Sequence, residues 1–236
     1  MVGIARRCLG SLITSRDNEK LKLVRKLHAR RWRDKLGLFF AEGEDLVEAA
    51  LSAGIEPVEL LVAEESVEPA LLAEVSTLAH PPRVIAVFRR ADLPDDERPD
   101  VGLALWQVAD PGNVGTLIRT ADALGPAFVA LSEGCADPTG PKALRASMGA
   151  LFRVPLVSFE DAGRPWIALV AHDGTPLGEL EHRRKATFVL GAERLGLPDE
   201  VLAQCDAQAS IPVAGRADSL NVAVAGAIAL YELARA

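Results

Sequence analysis

Five polar side chains stand where the chain otherwise spells buried structure. Ser219 and Asn221 sit at the mouth of a nearly all-apolar run, NVAVAGAIAL, just after a strand-like segment that closes at Ile211 and Pro212. Asn113 and Arg119 lie in DPGNVGTLIRTADALG (residues 110–125), and Glu193 lies between Gly191 and Gly196 in LGAERLGLP (residues 190–198). Two amides, a hydroxyl, a guanidinium and a carboxylate can bind, orient and hold charge, which suits chemistry accelerated by positioning. Each also has a plain structural account. Asn113 would cap a helix, Arg119 and Glu193 would be solvated, and a cap at Asp218 or Ser219 would leave Asn221 as a buried polar residue. Residue type alone leaves cap and site both open.

Composition narrows the classes. The 236 residues are 49% hydrophobic and 25% charged, as in an ordinary globular protein, with room for one large or two small domains. No apolar run reaches membrane-spanning length, and the opening MVGIARRCLG is too short in apolar residues for a secretory signal. Cys8, Cys135 and Cys205 form no pair motif, which points to a reducing cytoplasmic setting. His28, His80, His172 and His182 show no metal-ligand spacing, so no metal is expected.

The net charge of −7 argues against nucleic acid until it is divided along the chain. Residues 1–36 hold seven Arg and four Lys against two Asp and one Glu, a net +8, leaving −15 for the rest. A basic contact surface on an acidic body has this pattern, and Arg16, Arg25, Arg31 and Arg33 are its candidate phosphate contacts. A merely solvated helix face is the alternative.

Positioning these residues requires an α/β architecture. Helical spacing of Leu21, Val24 and Leu27 predicts a helix over 18–32, followed by strands at 38–43, 58–63 and 83–90 with helices at 44–52 and 69–79 between them. The Pro-rich, acidic stretch at 94–99 reads as a linker, dividing the chain into domains 1–95 and 96–236. Continuous apolar runs at 101–108, 127–132, 166–172 and 186–192, with a further strand in 151–158, resemble parallel strands buried on both faces. Helices over 114–124, 141–147, 198–203 and from 220 to the C-terminus alternate with them, so an open parallel sheet is expected.

In order and spacing, the segments at 110–125, 190–198 and 211–230 resemble the signature motifs of SpoU (TrmH-type) RNA 2′-O-ribose methyltransferases of the SPOUT superfamily. The resemblance implies a C-terminal parallel-sheet domain with a deep trefoil knot through residues 190–230, a rarity that periodicity would never suggest. It implies S-adenosyl-L-methionine as cofactor, held at Leu190, Gly191, Ile211, Pro212 and Leu220, with Asn113, Arg119, Glu193, Ser219 and Asn221 around the methyl acceptor. Arg119 would engage the target ribose or phosphate and assist loss of the hydroxyl proton. Because guanidinium groups stay protonated, orientation and charge stabilisation come first. Glu193 would orient Arg119 or Asn221. Ala192 and Arg194 depart from the family's common Gly-Asn-Glu-Gly, leaving the Gly191/Glu193 pair intact.

Residues 140–155 also look like the family, with Lys142, Arg145 and Arg153 placed for RNA approach. The first ninety residues resemble a small αβα module akin to ribosomal-protein RNA binders. That module favours ribosomal RNA over tRNA as substrate, by association only. A homodimer through the knotted domain is implied, with Arg119 serving the partner's site. Two rivals remain: an RNA-binding protein that kept the fold without catalysis, and a dinucleotide oxidoreductase, weakened by the missing GxGxxG.

Overall fold

A computed structural model describes residues 11–95, 99–180, 185–213 and 219–234. The elements are α1 (Glu19–Leu27), α2 (Arg30–Leu36), β1 (Leu38–Glu42), α3 (Glu44–Ser52), β2 (Glu59–Val62), α4 (Pro69–Val75) and β3 (Val84–Arg89). Then follow β4 (Gly102–Leu105), α5 (Pro111–Leu124), β5 (Phe128–Leu131), α6 (Pro141–Ser147), β6 (Leu156–Ser158), β7 (Trp166–Val170) and β8 (Thr175–Pro176). The chain closes with β9 (Thr187–Leu190), α7 (Asp199–Leu202), β10 (Ala207–Ser210) and α8 (Val222–Ala234).

Two sheets organise the chain. A three-stranded antiparallel sheet runs β1-β3-β2, and a seven-stranded sheet of parallel pairings runs β6-β5-β4-β9-β7-β10-β8. The central strands β4 and β9 are buried throughout, which explains their unbroken apolar runs. Because β4, β9, β7 and β10 are parallel, the loops leaving Leu105, Leu190, Val170 and Ser210 emerge at one edge of the sheet. Open α/β sheets bind ligands at that carboxyl edge.

The helix expected over 18–32 is two helices. Ala29 adopts an extended backbone (φ −92°, ψ 129°). Arg33 folds back to donate from Nη1 to the Leu27 and His28 carbonyls at 2.7 and 2.9 Å, taking groups that a continuing helix would have used. The strand expected over 101–108 stops at Leu105, because Gln107 turns with φ 52° and its N–H donates to Ser132 Oγ at 2.9 Å. Helix α4 ends at Val75 rather than 79. Ser76 and Thr77 leave the helix to bind the buried Glu42 carboxylate, to which Ser76 Oγ and Thr77 N donate at 2.6 and 2.8 Å. Within 151–158 only Leu156–Ser158 is strand, and Ala150–Phe152 is a single tight turn.

One continuous apolar core joins the two sheets. Phe39 and Phe88 from the small sheet pack on Phe152, with ring centroids 5.4–6.1 Å apart between the pairs. Polar bridges reinforce that seam. Arg33, only 4% exposed, donates from Nε to Asp137 Oδ2 at 2.8 Å, and Arg90 Nη2 donates to the same oxygen at 2.9 Å. Burial pushes the Asp137 carboxyl up, but the Thr139 hydroxyl and the two guanidinium groups outweigh it, and the net direction is down. The resulting stability is present above the ordinary carboxylate range and is lost as pH falls through the depressed value. Asp137→Asn keeps the shape and removes the charge. It is expected to cost about 2 kcal/mol, read from urea unfolding at neutral pH, with the difference shrinking as pH falls.

Candidate active site

The N-terminus of α5 begins the site. Asp110 caps it, accepting from Gly112 N at 2.6 Å and Asn113 N at 3.1 Å, with Pro111 at the first helical position. This corrects the expectation that Asn113 is the cap. Asp110-Pro111 carried the signal, since a helix starting with proline needs its capping residue immediately before. Lys142 Nζ donates to Asp110 Oδ2 at 3.2 Å and, with the Asn113 and Gly112 amides, holds the carboxyl below its usual value against a smaller push from burial.

Freed from capping, the Asn113 side chain links two loops. Its Nδ2 donates to Glu193 Oε1 at 3.0 Å, while Asn221 Nδ2 donates to Asn113 Oδ1 at 3.2 Å. Asn221 is itself the cap of α8: its Oδ1 accepts from Ala223 N at 2.9 Å and Val224 N at 3.3 Å. The expected cap at Asp218 lies outside the described residues, and Asn221 is exposed rather than buried. One directional chain therefore runs from the α8 backbone through Asn221 and Asn113 to Glu193. Every amide orientation in it is dictated by its neighbour.

Burial raises the Glu193 carboxyl, but the Asn113 amide and nearby backbone N–H groups, including that of Asp110, prevail and lower it overall. A carboxyl held below the usual range stays ionised and is a poor proton acceptor, so Glu193 is suited to orienting Asn113. Glu193→Gln is expected to reduce kcat about 10-fold, or about 1.4 kcal/mol. Glu193 should contribute no acid limb to the rate profile between about pH 5 and 9. Its support for the network is present above the ordinary carboxylate range and fades only as pH falls through the depressed value.

Gly191 takes its place from local sterics. Ala192 and Gly196 exchange backbone hydrogen bonds of 3.2 and 2.9 Å, folding the loop back on itself. A Cβ on Gly191 would lie 2.2 Å from the Gly196 carbonyl carbon and 2.5 Å from Leu197 N. The glycine is thus demanded first by the returning loop. That tight fold exposes Glu193, Arg194 and Leu195 toward the cleft.

Beneath this rim lies a cavity of about 650 Å³ lined by the segments at 190–198 and 211–230, while the segment at 110–125 meets only its rim through Asn113. Leu190, Gly191, Glu193, Ile211, Ser219, Leu220 and Asn221 all face it. Pro212 does not line it, although both its neighbours do. Its volume suits a nucleoside-sized ligand, and its walls combine aliphatic side chains with backbone and a few polar groups, as small-molecule sites usually do. Val170 and His172, at the carboxyl end of β7, also line it and were not anticipated. Only the strand order β9-β7-β10 brings them there.

Arg119 is not part of this cavity. It sits on the exposed side of α5, with no hydrogen bond or ion pair among the described residues. The expected RNA contacts also divide. Arg33 is corrected: it is buried in an ion pair and offers no surface to phosphate. Arg16 pairs with Glu74 at 2.9 Å, Arg25 reaches the same carboxylate at 3.5 Å, and Arg145 donates to Thr77 Oγ1 at 2.8 Å across the seam. Of the seven expected contacts, Arg31 alone carries a charge unmatched among the described residues.

A parallel α/β sheet with a polar-rimmed, nucleoside-sized cavity at its carboxyl edge defines a protein of the nucleotide-cofactor-binding class. Its family is narrower: the chain belongs to the SpoU rRNA Methylase family, matched by residues 100–231. Residues 18–91 match the MRM3-like substrate binding domain. A Bacillus subtilis relative named 23S rRNA (guanosine(2553)-2′-O)-methyltransferase RlmP is 34% identical, over 94% of this chain and 98% of its own. Among solved structures, an AdoMet-bound rRNA methyltransferase from Sinorhizobium meliloti superposes with a TM-score of 0.85 at 30% identity, covering 95% of this chain and 97% of that one. The SpoU methyltransferase AviRb from Streptomyces viridochromogenes, in complex with AdoMet, gives 0.79 at 26% identity, covering 92% and 97%.

Proposed function

We propose that the chain transfers a methyl group from S-adenosylmethionine to a ribose 2′-hydroxyl of ribosomal RNA. The observation that carries this is the single cavity shared by Gly191, Ile211 and Leu220, with the Asn221–Asn113–Glu193 chain at its rim. The residues fit such a cofactor. Leu190, Ile211, Leu220 and Val222 would offer apolar surface to a purine, and the ionised Glu193 in the cavity wall would complement a cationic ligand. When bound, the cofactor supplies an electrophilic methyl group.

The chain's own residues then have three tasks. The loop at residues 191–196 and the start of α8 form walls of the cavity that would hold the cofactor. Asn113 and Asn221, locked by their mutual hydrogen bond, present a fixed amide edge to the incoming ribose. Arg119 brings positive charge to stabilise the developing alkoxide or grip the adjoining phosphate.

Arg119 is absent from the cavity lining of its own protomer, so the proposed enzyme is a homodimer whose site takes Arg119 from the partner copy. The surface between α5 and α8 supports this. It holds an apolar groove of about 500 Å³ lined by Leu124, Val224, Ile228 and Tyr231, ending on Asn113 and Asn221. A second copy seated there would meet the rim of the cofactor cavity. The same reading divides the chain into residues 1–95 for RNA binding and 96–236 for catalysis, with the family's trefoil knot in the latter and a cytoplasmic location. Mapping ribose methylation in total RNA from cells with and without the chain tests the activity. One 23S rRNA position losing its mark supports the proposal. An unchanged ribosomal map with a lost tRNA mark would move the substrate, and no change at all would remove the activity.

A further inference from the structure

Among the described residues nearly every lysine and arginine is within ion-pair distance of a carboxylate. The exceptions are Lys26, Arg31, Lys35, Arg119 and Arg194. The last two belong to the catalytic half. The other three surround one ring: Lys26 Nζ, Arg31 Cζ and Lys35 Nζ lie 5.7, 5.9 and 5.1 Å from the centroid of Trp32, which is partly exposed on α2. Leu36, 41% exposed, lies one helical turn on. Three like charges around an aromatic face repel one another, and among the described residues none of them is closed into an ion pair, although Glu19 lies near enough to Lys26 to feel its charge. An anion carrying flat apolar surface would satisfy both features at once.

We propose that Trp32 is a stacking platform for an unpaired RNA base, with Lys26, Arg31 and Lys35 holding the flanking phosphates. This rests on the reading that RNA is the substrate and adds the place and mode of its recognition. Aromatic stacking is sequence-tolerant, and surrounding cations track the backbone. The platform is not loosely attached. Arg33, next to Trp32, anchors to Asp137, and Arg30 Nη1 donates to the Cys135 carbonyl at 3.0 Å. Those partners lie in the loop after β5, whose Ser132 also pins Gln107 in the loop leading to α5. The platform is therefore fixed to the carboxyl edge that carries the cofactor cavity, and a strand stacked on Trp32 is held in constant register with it.

The test is equilibrium binding of a fluorescent single-stranded oligoadenylate to the full chain, with inorganic polyphosphate as a charge-only probe and oligoglutamate as an acidic-peptide probe. Trp32→Ala should weaken oligoadenylate binding about 10-fold and leave polyphosphate binding unchanged. Trp32→Phe should retain most of the affinity. Replacing Lys26, Arg31 and Lys35 together by Gln should weaken both ligands and reduce the logarithmic salt slope for oligoadenylate by about 2. Equal losses for both ligands in Trp32→Ala, or none, would overturn stacking. Trp32-dependent binding of oligoglutamate at equal affinity would transfer the surface to a protein partner. S-adenosylmethionine binding by the same samples separates the two readings. Wild-type protein that fails to bind the cofactor contradicts the proposed activity and leaves the platform standing, whereas a failed platform with intact cofactor binding contradicts only the platform.

Discussion

Arg119→Ala is expected to lower kcat for methyl transfer by about 10³-fold, equivalent to about 4 kcal/mol of transition-state stabilisation, without changing cofactor affinity or thermal stability. The side chain lines no part of the cofactor cavity and makes no ion pair among the described residues, so neither folding nor cofactor capture depends on it. Exposed on the first helix after β4 and unpaired among the described residues, the guanidinium is free to meet an anion. Single-turnover rates with saturating cofactor would isolate the chemical step. A change confined to KM for RNA would make Arg119 a binding residue, and an unchanged rate would remove it from the site.

Gly191→Val is the second large effect. Its side chain would begin 2.2 Å from the Gly196 carbonyl carbon, and backbone cannot yield as a flexible side chain can. The loop must open, carrying Glu193 away from Asn113 and Leu190 away from the cavity. Cofactor affinity should fall by about 100-fold or more, about 2.7 kcal/mol, while circular dichroism and the N-terminal sheet remain native. The two variants also test the shared site. If Arg119 acts on the partner's cavity, mixing inactive Arg119→Ala and Gly191→Val chains should restore about one quarter of wild-type activity. Half the pairs would be mixed, and one site in each would be complete. Two inactive proteins that stay inactive when mixed would place Arg119 within its own protomer.

Much of this was legible before any coordinates. The apolar runs of β4, β5, β7 and β9 announced a sheet buried on both faces, because such strands have no solvent side to mark with alternation. Two of the three motif segments, at 190–198 and 211–230, also named most of the cavity lining, since glycine, amide and carboxylate residues stand out against apolar surroundings. What was hidden depended on contacts distant in sequence. The break at Ala29 is caused by Arg33 folding onto two carbonyls, and Arg33 is drawn there by Asp137, more than a hundred residues away. A dense basic run cannot show which of its members is buried. Glu42 likewise ended α4 through Ser76 and Thr77, although local propensity would have carried the helix further. His172 entered the site through strand order, which hydrophobic period does not encode.

Some of the corrections have chemical consequences. Asp110 rather than Asn113 caps α5, so the Asn113 amide is available to tie Asn221 to Glu193. Had Asn113 been the cap, its oxygen would have been committed to backbone and the chain of oriented amides would end at α8. The depressed Glu193 carboxyl follows from the same geometry.

Hydrogen exchange followed by mass spectrometry, with and without saturating S-adenosylmethionine, tests the central claim most directly. The account predicts that slowed exchange concentrates in three separated stretches, around residues 190–197, 209–213 and 219–225, with the surface of the N-terminal sheet unaffected. Protection confined to one of those stretches, or appearing on a different face of the protein, would show that the three loops do not build a common cofactor site.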